Sequence, residues 1–283
     1  MRLAVVTVNW NGWEDTVACV RSLEAQTRRP EWVVVVDNAS TNDSVARLRE
    51  RCPGARLLES GANLGFAGGN NVGIRWALQR GADAVWLLNN DATAHADACA
   101  AIERALDEDQ RVGVVGTPIY RADQRDRLQA WGGGWANLWT GRSAEFDQRV
   151  PDRRLDYVTG CSMALPRRAL ERSGLLDDAF FMYFEDTELC FRYRAAGWHL
   201  RVAEDAVVWH RGGASAVLSP RQLAWRNASL ARFLRLHSPL FFPALAISAG
   251  LRATSMAARG QLAGAKAVVG DALRAMADVA RAR

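Results

Sequence analysis

The chain has 283 residues, 49% hydrophobic and 24% charged, which is ordinary globular composition with ample core for one large domain or a domain plus an extension. Its net charge of +5 is uneven: Ala216 to Arg283 carries ten Arg/Lys and two Asp, so a basic tail follows a mildly acidic body, and the tail suits an anionic partner. Cys19, Cys52, Cys99, Cys161 and Cys190 are odd in number and show no CxxC spacing, which argues against a disulfide framework or zinc site and fits a reducing cytosol.

The first half alternates strand and helix patterns. The N-terminus enters the strand-like RLAVVTVNW directly, so no signal peptide is expected. Glu14 to Gln26 has helical spacing, WVVVVDN is a buried strand ending on Asp37, and Asn42 to Arg51 is a short helix. ARLLES is a third strand, and Phe66 to Arg80 is helical after a Gly-rich start. AVWLLNND is a fourth strand, Ala94 to Leu106 a helix, and VGVVGTP a fifth strand. This order predicts a mostly parallel sheet flanked by helices, with ligands bound beyond the carboxyl ends of the strands. Three strands end there in NWNG, DNAS and NND, polar groups that suit either a site or turns.

Tyr120 to Arg154 has weak periodicity and reads as a long loop or hairpin excursion. YVTGCSMAL is strand-like, Pro166 to Ser173 is a short helix, and WHLRVAEDAVVWH is extended and ends on His210. Beyond Gly213 the composition shifts to Ala, Leu and Arg, and the tail reads as helices interrupted at SPLFFP. No stretch reaches the roughly 18–20 apolar residues of a membrane span. The arginine-flanked SPLFFPALAISAGL is expected either to lie in a headgroup region or to pack on the body or a second subunit.

FFMYFEDTELCFRYR sets three acids among aromatics. On a helix starting near Glu185, Asp186 shares the apolar face of Leu189, Cys190, Tyr193 and Gly197, while Glu188 falls on the solvent side. A carboxylate at the start of a buried face either caps the helix or does chemistry in a cleft. Asp91, after the fourth strand, either caps a helix or offers oxygen to a hard cation; with His210 it leaves coordination room for phosphate and water, and imidazole leans toward Mn2+ over Mg2+. The GxGxxG fingerprint of dinucleotide binders is absent after the first strand. The glycines of NLGFAGGNNVG either admit a ligand or mark a turn.

In order and spacing, VTVNWNG, VDNAS, NLGFAGGNN, LLNND, VTGCSMALPR, FFMYFEDTEL, AAGW, VVWHRGGAS and WRN resemble glycosyltransferase family 2, of the GT-A fold, and its rhamnosyltransferase-like branch. The resemblance covers about Arg2 to Asn227. It implies a GT-A catalytic domain over 1–215, with a nucleotide-sugar half to 118 and an acceptor half from 119, and a basic helical extension over 216–283. It implies inverting transfer of a sugar from TDP-rhamnose or a UDP-sugar to a hydroxyl, in bacterial cell-surface glycan synthesis. The acceptor is a glycan, a lipid-linked sugar or a small molecule.

By the same resemblance, Val8, Asn9 and Asn11 lie along base and ribose, Asp37 accepts from a pyrimidine N–H, and Asn63, Gly68, Gly69, Asn89 and Asn90 complete the donor pocket. Asp91 and His210 hold a divalent cation, Mn2+ or Mg2+; Asn89 stands where the family's DxD motif often has its first aspartate. Asp186 is the base, with Gly160, Cys161, Tyr183 and Glu185 on the acceptor side. The expected setting is cytoplasmic or at the inner face of the plasma membrane, without nucleic acid, and open to homodimerisation. A nucleotidyltransferase would want a G-x-G-x-R-type loop where NWNG stands, and a non-catalytic sugar-nucleotide-binding protein would have lost Asp91, Asp186 or His210. Glycosylation of a small natural product is the other alternative.

Overall fold

The computed structural model describes residues 1–212 and 218–281. The first half runs β1 (Leu3–Asn9), α1 (Trp13–Glu24), β2 (Trp32–Asp37), α2 (Ser44–Arg51), β3 (Arg56–Glu59), α3 (Gly65–Gln79), β4 (Ala84–Leu88), β5 (Ala92–Ala94), α4 (Ala98–Asp107) and β6 (Val112–Gly116). The second half runs β7 (Pro118–Arg121), β8 (Leu128–Trp131), β9 (Gly133–Ala136), β10 (Ser143–Glu145), β11 (Tyr157–Val158), β12 (Ser162–Pro166), α5 (Arg167–Ser173), α6 (Glu185–Ala195), β13 (His199–Val202), β14 (Val208–His210), α7 (Pro220–His237), α8 (Phe241–Ala258) and α9 (Leu262–Arg281).

Seven strands form the main sheet in the order β13-β6-β12-β4-β1-β2-β3. β1, β4 and β6 are Val/Leu/Ala runs buried on both faces, the pattern of a sheet covered by helices on both sides. All pairings are parallel except those of β12, which runs antiparallel between β4 and β6. The strand expected over YVTGCSMAL is thus two strands, broken by a turn at Thr159–Cys161.

The segment read as a long loop or hairpin excursion holds β8, β9 and β10, and β9 and β10 pair antiparallel. Two small sheets, β5-β14-β7-β8 and β10-β9-β11, stand beside the main one. The helix expected from Ala94 begins at Ala98, because residues 92–94 pair with β14 as β5.

The three C-terminal helices share one apolar core with the loop before α6: Phe180 and Phe184 pack with Leu230, Phe233, Phe241 and Val268. Phe184 stacks on Phe233 with ring centroids 5.4 Å apart. Arg232 ties the same loop down through Asp177 at 2.7 Å.

The expectation that no segment is long enough to span a membrane is corrected by α8. It is an unbroken 18-residue apolar helix, long and apolar enough to cross a bilayer by length and composition. Pro243 does not interrupt it, because a proline in the first turn has no intrahelical N–H bond to lose. Here α8 packs on α7 and α9, with Phe241, Ala244, Leu245 and Ala249 in the shared core. Gly213, Ala214 and Ser215 of the VVWHRGGAS pattern lie outside the described residues.

Candidate active site

The parallel register sets Asn9 beside Asp37 at the carboxyl edge of the sheet. Asn9 is fully buried, and its amide donates to Asp37 Oδ1 at 2.8 Å and to Ser40 Oγ at 3.1 Å. Its own Oδ1 accepts from Gly12 N and Thr16 Oγ1. Asp37 also accepts from Ser40 N at 2.9 Å and Ser40 Oγ at 2.7 Å. Its two oxygens offer about four acceptor positions, so one on Oδ2 remains for a ligand. Asn11, at φ 59°, clamps the two loops by accepting from Thr41 N at 2.8 Å.

Asn63 accepts from Gly65 N and from the Asn38 amide, shaping the entry to α3. Gly68 and Gly69 are buried. A side chain at Gly68 would meet Leu64, and one at Gly69 would come within 3.0 Å of Val8. Gly69 thus seats α3 on β1, Gly68 packs on the start of its own helix, and neither lines the cavity described below. Gly65 is the tighter case: at φ +71° its added Cβ would lie 2.1 Å from the Phe181 carbonyl, which accepts from Phe66 N at 2.7 Å.

The pairing of β5 with β14 brings Asp91 and His210 together. His210 stands opposite Ala92, the next residue after Asp91, and Arg211 N donates to the Asp91 carbonyl at 2.9 Å. His210 Nε2 lies 3.1 Å from Asp91 Oδ1. Burial alone would raise the Asp91 carboxyl, but the His210 hydrogen bond and charge outweigh it and hold it below its usual value. Asn89 lies 3.4 Å from Nε2 on the same side. Asn90 turns away and donates to Thr16 Oγ1 at 3.0 Å. Among the described residues no group of three or more His, Cys, Asp or Glu is arranged to hold a metal, so this pair would supply two ligands and leave the rest to substrate and water.

Asp186 and His210 line one cavity of about 530 Å3, together with Asn89, Gly160, Cys161, Tyr183 and Glu185. Asp186 Oδ2 accepts from Gly160 N at 2.8 Å, and Oδ1 from Thr187 N at 2.6 Å. Burial raises the Asp186 carboxyl, and these hydrogen bonds only partly offset the shift. Tyr183 and Phe184, just before α6, both sit in the left-handed backbone region at φ 71° and 65°. Two consecutive non-glycine residues there are strained by roughly 1–2 kcal/mol each, and such strain concentrates at functional sites.

Residues 2–229 match the family model described as glycosyltransferase-like family 2. The chain belongs to this family. It is 27% identical over 241 residues to an N-acetylglucosaminyl-diphospho-decaprenol L-rhamnosyltransferase of Mycobacterium tuberculosis, covering 77% of this chain and 78% of the relative. It is 32% identical over 206 residues to a galactofuranosyltransferase of Mycolicibacterium smegmatis, covering 61% and 66%. Among solved structures, a mannosyltransferase of Pyrobaculum calidifontis in complex with GDP-Man and Mn2+ superposes with a TM-score of 0.59 at 19% identity, over 98% of this chain and 87% of that one. GalNAc-T7 with UDP, GalNAc and Mn2+ gives 0.64 at 16% identity, over 82% of this chain and 47% of the longer one. The architecture is the GT-A fold, and the chain is a glycosyltransferase.

In this glycosyltransferase Glu188 is not the exposed acid that the helical wheel suggests. Its side chain is 5% exposed and bridges Arg192 at 3.0 Å, with His237 3.6 Å away. The wheel treats one face as solvent, but α7 covers that side of α6. Glu185 lines the cavity with Oε2 buried and without a hydrogen-bond partner among the described residues. Burial, followed by the Asp186 charge, pushes its carboxyl well above the carboxylate range. Sequence reading also missed Gln129, Glu145 and Arg226, which line the cavity from β8, β10 and α7. Gln129 and Glu145 come from strands whose pairing is long-range and leaves no local motif, while Arg226 sits in the WRN pattern, which by itself assigns it no role.

Proposed function

We propose that the chain is a divalent-cation-dependent inverting glycosyltransferase that moves a sugar from a nucleoside-diphosphate sugar to a hydroxyl acceptor in cell-surface glycan synthesis. The supporting observation is one cavity holding the Asp186 carboxylate on one wall and His210, paired with Asp91, on another. The named activities of the mycobacterial relatives agree with this reading. The sheet-edge residues Asn9, Asn11 and Asp37 would take the base and ribose, so residues 1–118 hold the donor and 119–215 the acceptor.

The acceptor oxygen attacks the anomeric carbon as the bond from that carbon to the diphosphate oxygen breaks. The acceptor proton passes to Asp186, and the nucleoside diphosphate leaves with the bonding electron pair. A burial-raised carboxylate is a better base than an ordinary one, and the Gly160 and Thr187 donors fix its direction. Glu185, its carboxyl raised by burial and by the Asp186 charge, would hydrogen-bond the acceptor.

The donor set of Asp91 and His210 fits Mn2+ or Mg2+, which when bound would neutralise charge on the leaving phosphates. Gln129 places its amide N and O 3.2 and 3.3 Å from His210 Nδ1; with the cation bound, its Oε1 would accept the Nδ1 N–H and leave Nε2 to the metal. The full chain, incubated with a panel of UDP-, TDP- and GDP-sugars with and without Mn2+, should slowly hydrolyse at least one in a metal-dependent manner. No hydrolysis and no thermal stabilisation by any of them would remove the proposal.

A further inference from the structure

A second cleft of about 500 Å3 opens beside the active site, and nothing in the transfer scheme uses it. It lies between the turn that joins β9 to β10 and the helices α7 and α8. Gly141, at φ +61°, presses that turn against α8; an added Cβ would stand 2.7 Å from Ser248 Oγ. Four arginines line the cleft, Arg142, Arg226, Arg252 and Arg259, and its lining includes no acid. Among the described residues none of the four is ion-paired with a carboxylate. Arg252 instead donates to the Asn227 amide oxygen at 2.6 Å.

Burial, then the Arg226 charge, pushes the Arg252 guanidinium down to about 10. Holding a half-buried cation beside a second one is costly; Asp271 offsets part of this, reaching Arg252 through Asn227 and not by an ion pair, and an anion in the cleft would offset more. Guanidinium forks match phosphate oxygens, and Ser143, Ser255 and Gln261 add neutral hydrogen-bonding groups. Leu223, Leu251 and Met256 line the same cleft, giving an ester carbon apolar surface. Ser143, Leu218 and Arg226 border both this cleft and the Asp186 cavity, so one molecule can reach both.

We infer that the arginine cleft binds the phosphate or diphosphate ester of the acceptor, while the acceptor hydroxyl reaches Asp186. The inference rests on the glycosyl-transfer reading and narrows its acceptor to a phosphate-bearing molecule. Geranyl diphosphate serves as the probe, titrated calorimetrically into the full chain in EDTA so that the cation site is silent. Wild type should bind it, and more tightly than inorganic pyrophosphate. Arg142→Gln, on the exposed turn, and Arg252→Gln should each weaken binding at least tenfold while nucleotide binding in Mn2+ survives as the check on folding. Asp91→Ala should keep geranyl diphosphate and lose the nucleotide.

The assignment is overturned by no binding by wild type, by binding indifferent to the arginines, or by binding lost in Asp91→Ala, which would put the probe in the donor site. Arginine-dependent co-sedimentation with phosphatidylglycerol vesicles without geranyl diphosphate binding would make the cleft a headgroup contact and equally overturn it. Failure of metal-dependent donor hydrolysis, by contrast, would count against the transfer reading alone.

Discussion

Glu188→Gln probes how α6 is held. Glu188 meets Arg192 through Nε at 3.0 Å and Nη2 at 3.0 Å, with side-chain exposures of 5% and 29%. Removing one partner of a buried pair costs about 3–5 kcal/mol. Arg192 is partly solvated and keeps the Ser173 and Leu175 carbonyls, so we scale the loss to about 2 kcal/mol. Unfolding entropy of roughly 2.1 cal/mol/K per residue makes that a drop of about 3 °C in Tm. Burial alone would raise the Glu188 carboxyl, but His237 and Arg192 outweigh it and hold it below its usual value. A lowered carboxylate stabilises fully above its unfolded value, about 4.3, and the contribution is lost as pH falls through the folded value. Thermal melts of both proteins at pH 7 and pH 3.5 should therefore show a gap that narrows in acid. Transfer below the melting range should stay within a few-fold of wild type, because Glu188 does not line the cavity. A Tm within 1 °C of wild type at pH 7, or a gap that does not narrow in acid, would refute the ion-pair reasoning.

Asp91→Ala should abolish metal-dependent donor binding, read by calorimetry with Mn2+; near-normal turnover in EDTA would show that no cation is held there. The kcat–pH profile should have an acid limb above the ordinary aspartate value of about 4, since burial raises Asp186 and the base must be ionised to act. A rate that is flat down to pH 4 would contradict this. Gly65→Ala should cost about 2–4 kcal/mol by chemical denaturation, from the left-handed backbone and the collision with the Phe181 carbonyl. An unchanged midpoint would mean that the loop before α6 moves aside freely.

What could be read from the sequence was local. β1, β2, β4 and β6 are short apolar runs, and α1 and α3 carry a 3.6-residue period, so the parallel half was legible to within about four residues at its element ends. The site residues were legible because they close strands: Asp37 ends β2, His210 ends β14, and Asp91 follows β4. The reason Asp91 meets His210 was not, because β5 has only three residues, Ala-Thr-Ala, and its pairing partner is over a hundred positions away. The break between β11 and β12 was hidden for a similar reason. Only the position of Asp186 shows why Gly160 must turn its N–H outward. Glu188 was misplaced because a helical wheel cannot know that a later helix, α7, covers its polar face. Gly68 and Gly69 read as either a ligand cradle or a turn; a side chain at Gly69 would crowd Val8 of β1, and one at Gly68 would meet Leu64 at the start of its own helix.

Asp186→Asn tests the assignment of chemistry most directly. The substitution keeps size and shape; the remaining oxygen can accept from only one of the Gly160 and Thr187 N–H groups, and the side chain cannot take the acceptor proton. Loss of a positioned base costs about a hundred- to ten-thousand-fold in rate. Donor affinity and transfer rate should be measured side by side for wild type and variant with Mn2+ present. We expect donor binding unchanged and transfer reduced at least a hundredfold; transfer within a few-fold of wild type would make Asp186 a structural cap and place the base elsewhere.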